Sequence, residues 1–349
     1  MKIMLTIGAF SYGGAERVMC ALANHFCVHN DVVLVTLTEN EETYYLHPDI
    51  KRINGIGWKN EFDGVVQLRK IIKKENPDVI ISFLTHINIA VILASLFLGI
   101  PTIVSERNDP SKSATTTLRK VLRKITYPMA QGFVFQTEEA RDYFNHSLRR
   151  KSKIIPNPLF MDEIPANAKD KQQEVVSVGR LVPQKCHDII IKAFTSANGR
   201  SGKYHLTIYG NGDERDNLLQ LISSLGMQDK ITLHPAVDDL HRRIKYAKIF
   251  VLMSDYEGMP NSLMEAMGLG LACISTDCPC GGPRYLISDN VNGKLVRVRD
   301  EKQLEDSLRT LMMDDAEIER LGECAEKIRD RLSADVIFRM WDEYIDQVL

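Results

Sequence analysis

Glu257-Gly258-Met259-Pro260-Asn261-Ser262-Leu263-Met264-Glu265 stands shortly after the apolar run Ile249 to Met253. The run reads as a buried strand, the Gly and Pro as a loop, and Pro260 as the opening of a helix. That order puts Glu257 and Glu265 beside the positive end of a helix, whose free backbone N–H groups suit a phosphate. Carboxylates next to it accept hydrogen bonds from hydroxyls. A ligand with both phosphates and many hydroxyls is a nucleotide-sugar. Taken alone, the stretch also fits a Glu257 that merely ends a strand and a Glu265 that is a solvated helix residue.

The same strand-to-helix alternation runs through the whole chain. Strands are predicted over Ile3 to Ile7, Asp31 to Leu37, Val79 to Phe83, Thr102 to Ser105 and Phe133 to Gln136. Helices fall over Ala15 to Cys27 and Phe62 to Asn76, after Phe83 and from Glu138. The pattern then restarts, with strands Glu174 to Val178, Tyr204 to Tyr209, Ile231 to Leu233 and Ile249 to Met253 between helices Asp188 to Ala197, Asp213 to Leu225 and Asp239 to Tyr246. Such βαβ repetition implies parallel sheets covered on both faces.

Two series predict an α/β chain of two Rossmann-like, doubly wound domains, residues 1–158 and 159–333, facing across a cleft between the carboxyl ends of their sheets. Ile154-Ile155-Pro156-Asn157-Pro158 and the stretch from Met161 to Gln173 read as the linker. A last helix, residues 334–349, carries Ile337, Phe338, Trp341 and Ile345 at helical spacing. A face so rich in large side chains needs a partner, and packing back on the first domain supplies one.

A length of 349 residues suits two domains, and 44% hydrophobic with 26% charged residues is ordinary for a globular protein. The net charge of -2 is unevenly spread: residues 1–158 hold 20 Lys and Arg against 15 Asp and Glu, and the remainder 24 against 31. The first half is therefore the one to meet an anionic surface, and no nucleic-acid partner is expected. Seven scattered cysteines form no metal or redox spacing, which points to a reduced, cytoplasmic setting rather than a disulfide framework. The apolar start Met1 to Ile7 reads as a first strand rather than a secretion signal, because Gly13-Gly14 and Glu16-Arg17 arrive too soon. The most apolar segment, Ile87 to Leu98, is too short to span a bilayer.

After the strand ending at Val178 comes Gly179-Arg180-Leu181-Val182-Pro183-Gln184-Lys185, two cations on a loop at the carboxyl end of a sheet. Arg as a fork and Lys as a point charge suit a diphosphate, although a solvated loop would look the same. Gly210 and Gly212, in Tyr209-Gly210-Asn211-Gly212-Asp213, permit close approach to a ligand or simply make a tight turn. Gly13 and Gly14 open the first helix, where glycine lets a phosphate or sugar reach the backbone. Glu16 and Arg17 beside them fit a helix-end charge pair.

With GGAERV at Gly13 to Val18, GRLVPQK at Gly179 to Lys185 and the carboxylate pair Glu257 and Glu265 in that order, the chain resembles the glycosyltransferase family 4 enzymes of GT-B type. The resemblance spans essentially the whole chain. It implies a retaining transferase that moves a hexose or N-acetylhexosamine from a nucleotide-sugar, usually a UDP-sugar, and needs no metal or other cofactor. Residues 1–158 would bind the acceptor and 159–333 the donor. Arg180 and Lys185 would neutralise the diphosphate leaving group. Glu257 would hold sugar hydroxyls, the main chain from Gly258 through Met259 and Pro260 to Asn261 the phosphates, and Glu265 the ribose. In keeping with this, no Asp-x-Asp triplet occurs. Cys186 departs from the family, which usually has Gly after the Lys.

His86 follows the strand Val79 to Phe83, near where family members often place a histidine that touches the sugar or acceptor; it also fits a helix cap. Glu106-Arg107-Asn108 is a second acceptor-side candidate. With no evident carboxylate nucleophile, retention suggests attack by the acceptor hydroxyl on the leaving-group face, the diphosphate taking its proton, with His86 as a positioner.

The segment Thr115 to Ile125 sets Leu118, Val121, Leu122 and Ile125 against Arg119, Lys120, Arg123 and Lys124. It fits a helix on an anionic membrane surface, and equally one that turns its apolar side to the core and its basic side to water. Basic first domains suit enzymes that extend polyprenyl-diphosphate-linked glycans, as related bacterial enzymes of O-antigen, capsule and exopolysaccharide synthesis do, peripheral on the inner face of the membrane. Two rivals stay open: a nucleotide-sugar epimerase on the same fold, and a noncatalytic nucleotide-sugar sensor.

Overall fold

The structure, a computed structural model, describes residues 1–9, 13–38, 44–58, 60–161, 168, 170–199 and 202–349. Much of the Met161 to Gln173 stretch read as linker lies outside them. The chain divides into two compact units, Met1–Pro158 with Ala334–Leu349, and Leu159–Ser333.

The first unit is built on seven parallel strands: β1 (Lys2–Ile7), β2 (Asp31–Thr36), β3 (Lys51–Ile53), β4 (Val79–Phe83), β5 (Thr102–Ser105), β6 (Gly132–Phe135) and β7 (Ser152–Ile154). Their order is β3-β2-β1-β4-β5-β6-β7. The inner strands are apolar without alternation because helices cover both faces; β4, Val-Ile-Ile-Ser-Phe, is buried at every position. The order in which strands are added reverses between β1 and β4, so the segments after these two strands flank the crevice where open α/β sheets take ligands. Gly13-Gly14 follows β1 and His86 follows β4.

Helix Ala334–Val348 belongs to this unit. Trp341 is fully buried with its ring 5.9 Å from Phe83, and Phe338 stacks on His25 at 4.6 Å. The Tyr344 hydroxyl accepts from the Phe133 N–H at 2.8 Å and donates to the Lys151 carbonyl.

The second unit has six parallel strands: β8 (Gln172–Val178), β9 (His205–Tyr209), β10 (Ile231–His234), β11 (Ala247–Leu252), β12 (Ala272–Thr276) and β13 (Lys294–Val296). They are ordered β10-β9-β8-β11-β12-β13, so the reversal lies between β8 and β11. Val175, Leu206, Ile208, Ile249, Val251 and Ile274 form the centre of one core with Ile190 and Phe194 of helix His187–Asn198 and Leu304, Leu308 and Leu311 of helix Glu301–Met313.

Candidate active site

The loop after β8 carries the two cations. It is held by main-chain bonds to the loop after β9, from the Leu181 N–H to the Asn211 carbonyl at 2.8 Å and from Gly179 to Tyr209 at 3.0 Å. A side chain at Gly210 would meet the Gly179 carbonyl oxygen at 1.9 Å, and one at Gly212 the Leu181 carbonyl oxygen at 2.2 Å. Glycine at both positions is therefore required for seating the Arg180 loop, whatever binds there. Arg180 is exposed. A single turn, Pro183–Lys185, then brings Lys185 back over the sheet and ends at Cys186, whose φ of 46° and ψ of 42° are left-handed. That is a backbone conformation glycine adopts most readily. The Cys186 thiol, 3.4 Å from Asp255 Oδ1, is pushed up to about 12 by burial and by that carboxylate.

The loop after β11 lies alongside. Asp255 donates its N–H to the Gln184 carbonyl at 2.9 Å, and Gln184 Nε2 donates to the Tyr256 carbonyl at 2.7 Å. The Asp255 carboxylate takes the Arg299 fork at 2.6 and 2.7 Å. Two strands adjacent at the reversal point thus deliver Lys185 and Glu257 to each other. Glu257 Oε1 accepts from Lys185 Nζ and from the Ser254 hydroxyl, while Oε2 takes no hydrogen bond among the described residues. Both side chains are largely buried, at 12% and 11% exposure.

Beyond Glu257 the chain enters helix Asn261–Gly268 through Pro260, which provides no side-chain cap. The approach is fixed from a third strand. Thr276, at the end of β12, donates its hydroxyl to the Ser254 carbonyl at 2.7 Å, and the Glu257 N–H reaches the Pro279 carbonyl at 3.2 Å. A side chain at Gly282 would meet the Gly258 carbonyl oxygen at 1.6 Å. Glu265 is buried, with its Oε2 3.1 Å from His241 Nε2. Arg180, Lys185, Glu257, Gly258, Met259, Pro260, Asn261 and Glu265 therefore all lie on segments after β8 and β11.

Sequence reasoning missed Ser254, His241, Thr276 and the Gly281-Gly282 turn, because a hydroxyl or imidazole carries no local pattern. The glycine pair after a strand was the one legible signal. It also missed His187, 3% exposed at the start of helix His187–Asn198 and pulled down to about 4, chiefly by burial and then by Lys185.

In the first unit, Gly13 is the extended N-cap of helix Gly14–Phe26, its carbonyl accepting from the Arg17 N–H at 3.0 Å and the Tyr44 hydroxyl at 3.4 Å. His86 is the second residue of helix Thr85–Ser95 and half-buried. Glu106 and Arg107 are enclosed, at 3% and 9% exposure. Burial raises the Glu106 carboxyl, which accepts from the Tyr127 and Thr85 hydroxyls. Arg107 lies 3.7 Å over the Phe83 ring and is pushed down to about 9 by burial.

The basic helix, Thr117–Thr126, requires a correction. Arg123 is 6% exposed and faces the core, donating to the Pro110 carbonyl at 2.6 Å, the Ser113 hydroxyl at 3.2 Å and the Tyr143 hydroxyl at 3.0 Å. These partners and the Tyr143 and Phe144 rings, 5.2 and 5.5 Å away, replace the water a guanidinium needs, so it is not part of a charged surface with Arg119, Lys120 and Lys124. Leu118, Val121 and Ile125 instead point outward, which overturns the core-facing alternative.

The family model described as Glycosyltransferase Family 4 matches residues 12–162, and that described as Glycosyl transferases group 1 matches residues 162–328. A Campylobacter jejuni relative is the GalNAc-alpha-(1->4)-GalNAc-alpha-(1->3)-diNAcBac-PP-undecaprenol alpha-1,4-N-acetyl-D-galactosaminyltransferase, 30% identical over 327 residues, or 90% of each chain. An amylovoran biosynthesis glycosyltransferase of Erwinia amylovora is 22% identical over 99% of each chain. Among solved structures, Anabaena HepE in complex with UDP and glucose matches with a TM-score of 0.87 at 16% identity, over 99% of this chain and 100% of that one. The apo lipopolysaccharide outer core galactosyltransferase WaaB matches at 0.78 and 17%, over 100% of both.

Proposed function

The chain belongs to glycosyltransferase family 4 and has the GT-B fold, and from that premise we propose that it transfers a hexose or N-acetylhexosamine, with retention, from a UDP-sugar to a polyprenyl-diphosphate-linked glycan in bacterial surface polysaccharide synthesis. The observation that carries the donor side is the Lys185–Glu257 pair at the reversal between β8 and β11, next to the uncapped start of helix Asn261–Gly268. A diphosphate arriving at that helix start meets backbone N–H groups, the Arg180 fork and Lys185. Once Lys185 turns to it, Glu257 is left with Ser254 and an open Oε2, an acceptor for sugar hydroxyls. Glu265, oriented by His241, takes the ribose.

The cations supply the charge neutralisation that a divalent metal gives in other transferases, so the reaction is metal-independent in this proposal. As the bond to the anomeric carbon breaks, the negative charge grows on the diphosphate, where Arg180 and Lys185 stabilise it more than in the ground state. His86, at the reversal point of the first sheet, positions the acceptor. The lipid-linked acceptor is supported by the Campylobacter relative, whose name specifies an undecaprenyl-diphosphate glycan.

Incubation of the protein with UDP-, GDP- and ADP-sugars and a short synthetic polyprenyl-diphosphate glycan tests the proposal, with nucleotide release and product mass as readouts. UDP-sugar is expected to give a glycan longer by one residue, α-linked by NMR from an α-linked donor, with or without EDTA. An isomerised UDP-sugar and no transfer would show an epimerase; binding without turnover, a sensor. An inverted linkage or EDTA-sensitive transfer would sink the corresponding part.

A further inference from the structure

We propose that Glu106 is a positioning residue for the acceptor: through the Thr85 hydroxyl it holds the turn from β4 into helix Thr85–Ser95, and so sets the direction in which His86 points. That turn is strained. Leu84, between β4 and the helix, has a φ of 79° and a ψ of 135° and offers no side-chain cap. A leucine stays at such a positive φ only when its surroundings over-determine it. The end of β5 supplies those surroundings. The Leu84 N–H donates to the Ser105 carbonyl at 3.2 Å, and Asn88 Nδ2 donates to the same carbonyl at 3.0 Å. The Leu84 carbonyl accepts the Ile87 and Asn88 N–H groups at 3.0 and 2.9 Å. The Thr85 hydroxyl then lies 3.0 and 2.9 Å from the two carboxyl oxygens of Glu106, the residue next to Ser105. Glu106 is itself fixed from β6, its N–H donating to the Val134 carbonyl at 3.2 Å.

Burying a carboxyl at this place is unfavourable in itself. Glu106 has lost its water, and burial raises it accordingly. An apolar side chain would fill the end of β5 without that penalty, and what it would lack is the bond to Thr85. Arg123, whose charge favours the ionised form, spends its own hydrogen bonds on Pro110, Ser113 and Tyr143. Thr85 and His86 are the first two residues of the helix, so their side chains leave its axis about 100° apart. Pinning Thr85 therefore fixes the rotation of the first turn and with it the direction of His86. His86 stands half-buried at the reversal of the first sheet, and a positioning group must be held to within about 0.5 Å of its productive place. The inference rests on the reading of His86 as the group that positions the acceptor, and adds that Glu106 and Thr85 aim it.

The test combines kinetics with NMR of the histidine rings in the full chain. Thr85→Val keeps the side-chain shape and removes the hydroxyl, Thr85→Ser keeps the hydroxyl, and Glu106→Gln leaves one acceptor oxygen for two hydroxyl donors. Thr85→Val and Glu106→Gln are expected to lower kcat/KM for the acceptor glycan roughly tenfold to a hundredfold. The KM for UDP-sugar and the thermal stabilisation by UDP stay at their wild-type values, and Thr85→Ser restores transfer. In a His86→Ala background, Thr85→Val adds no further loss, because its effect runs through the missing ring. With isotope-labelled histidine rings, the resonance that His86→Ala removes should shift in Thr85→Val and return in Thr85→Ser, whether or not any sugar is transferred. An unmoved His86 resonance in Thr85→Val and Glu106→Gln, or the full loss persisting in the His86→Ala background, would overturn the positioning role. A His86 resonance that responds while wild type transfers no sugar would support the tie from Glu106 to the ring and count only against the proposed reaction.

Discussion

Lys185 and Glu257 neutralise each other where little water reaches either, so their charges are coupled rather than independent. Removing one leaves the other buried without its counter-charge, which costs more than removing both. Lys185→Ala and Glu257→Gln are each expected to lower kcat by about a hundredfold or more, and the double variant by more than either but less than the product of the two, because each single variant also upsets the buried pair in the free enzyme. Simple multiplication of the two losses in steady-state kinetics would show that they act separately. His187 gives a second prediction at this scale. It is held down to about 4 against an ordinary 6.5, first by burial and then by Lys185. The unfolded chain takes up a proton as pH falls below 6.5 and the folded chain does not until about 4, so stability drops across that window, by up to about 3 kcal/mol. Denaturant melts between pH 7 and 4 should show this loss, and His187→Asn should flatten it; an unchanged slope in the variant would assign the loss to other groups. Residue types were readable in the sequence here and residue partners were not. Nothing in Gly179 to Lys185 announced that Lys185 would reach Glu257 or that Cys186 would sit at a positive φ.

Elements were legible where their pattern is long and apolar. β1, β4, β5 and β11, and the helices that follow β1 and β8, emerge within a residue or two of their predicted bounds because buried parallel strands and amphipathic helices have distinct periods. β3, β7 and β13 did not, since three-residue edge strands that are partly exposed carry no apolar run, and the sequence reading also placed no strand at the buried β12. Helix Thr117–Thr126 shows a different limit: its two stripes were plain, but which of them faced inward depended on Pro110, Ser113 and Tyr143 supplying partners for Arg123. The turn after β12 was missed although its glycine pair was visible in the sequence, and it shapes the site. Its backbone is pressed against the Gly258 carbonyl, so a methyl at position 282 must displace the loop that carries Glu257. Gly282→Ala is therefore expected to cost about 1–3 kcal/mol in stability and to weaken UDP binding at least tenfold, by calorimetry, with the parallel sheet intact by circular dichroism. Wild-type UDP affinity in this variant would mean that the Glu257 loop tolerates the shift and that its position is not set by β12.

At the scale of the whole molecule, two βαβ series were evident from alternation alone, and each became a parallel sheet with one reversal point. The last sixteen residues read in the sequence as an apolar face whose expected partner was the first domain. That partner is the first unit: Trp341 lies against Phe83, and Arg107 stacks 5.6 Å over the Trp341 ring, so residues from the two ends of the sequence share one core. Each unit then has its own core, and a perturbation specific to one core should register in that unit's unfolding. Trp341→Ala removes a fully buried aromatic and is expected to destabilise the first unit by about 3–5 kcal/mol. Saturating UDP, bound at the β8 and β11 loops, is expected to stabilise the second unit by about 2.7 kcal/mol at a hundred times its Kd. In scanning calorimetry the variant should therefore melt in two steps, the lower one moved by the substitution and the upper one by UDP. A single transition that responds to both would show that the units unfold together, and an unmoved first transition would show that helix Ala334–Val348 contributes little to the core it completes.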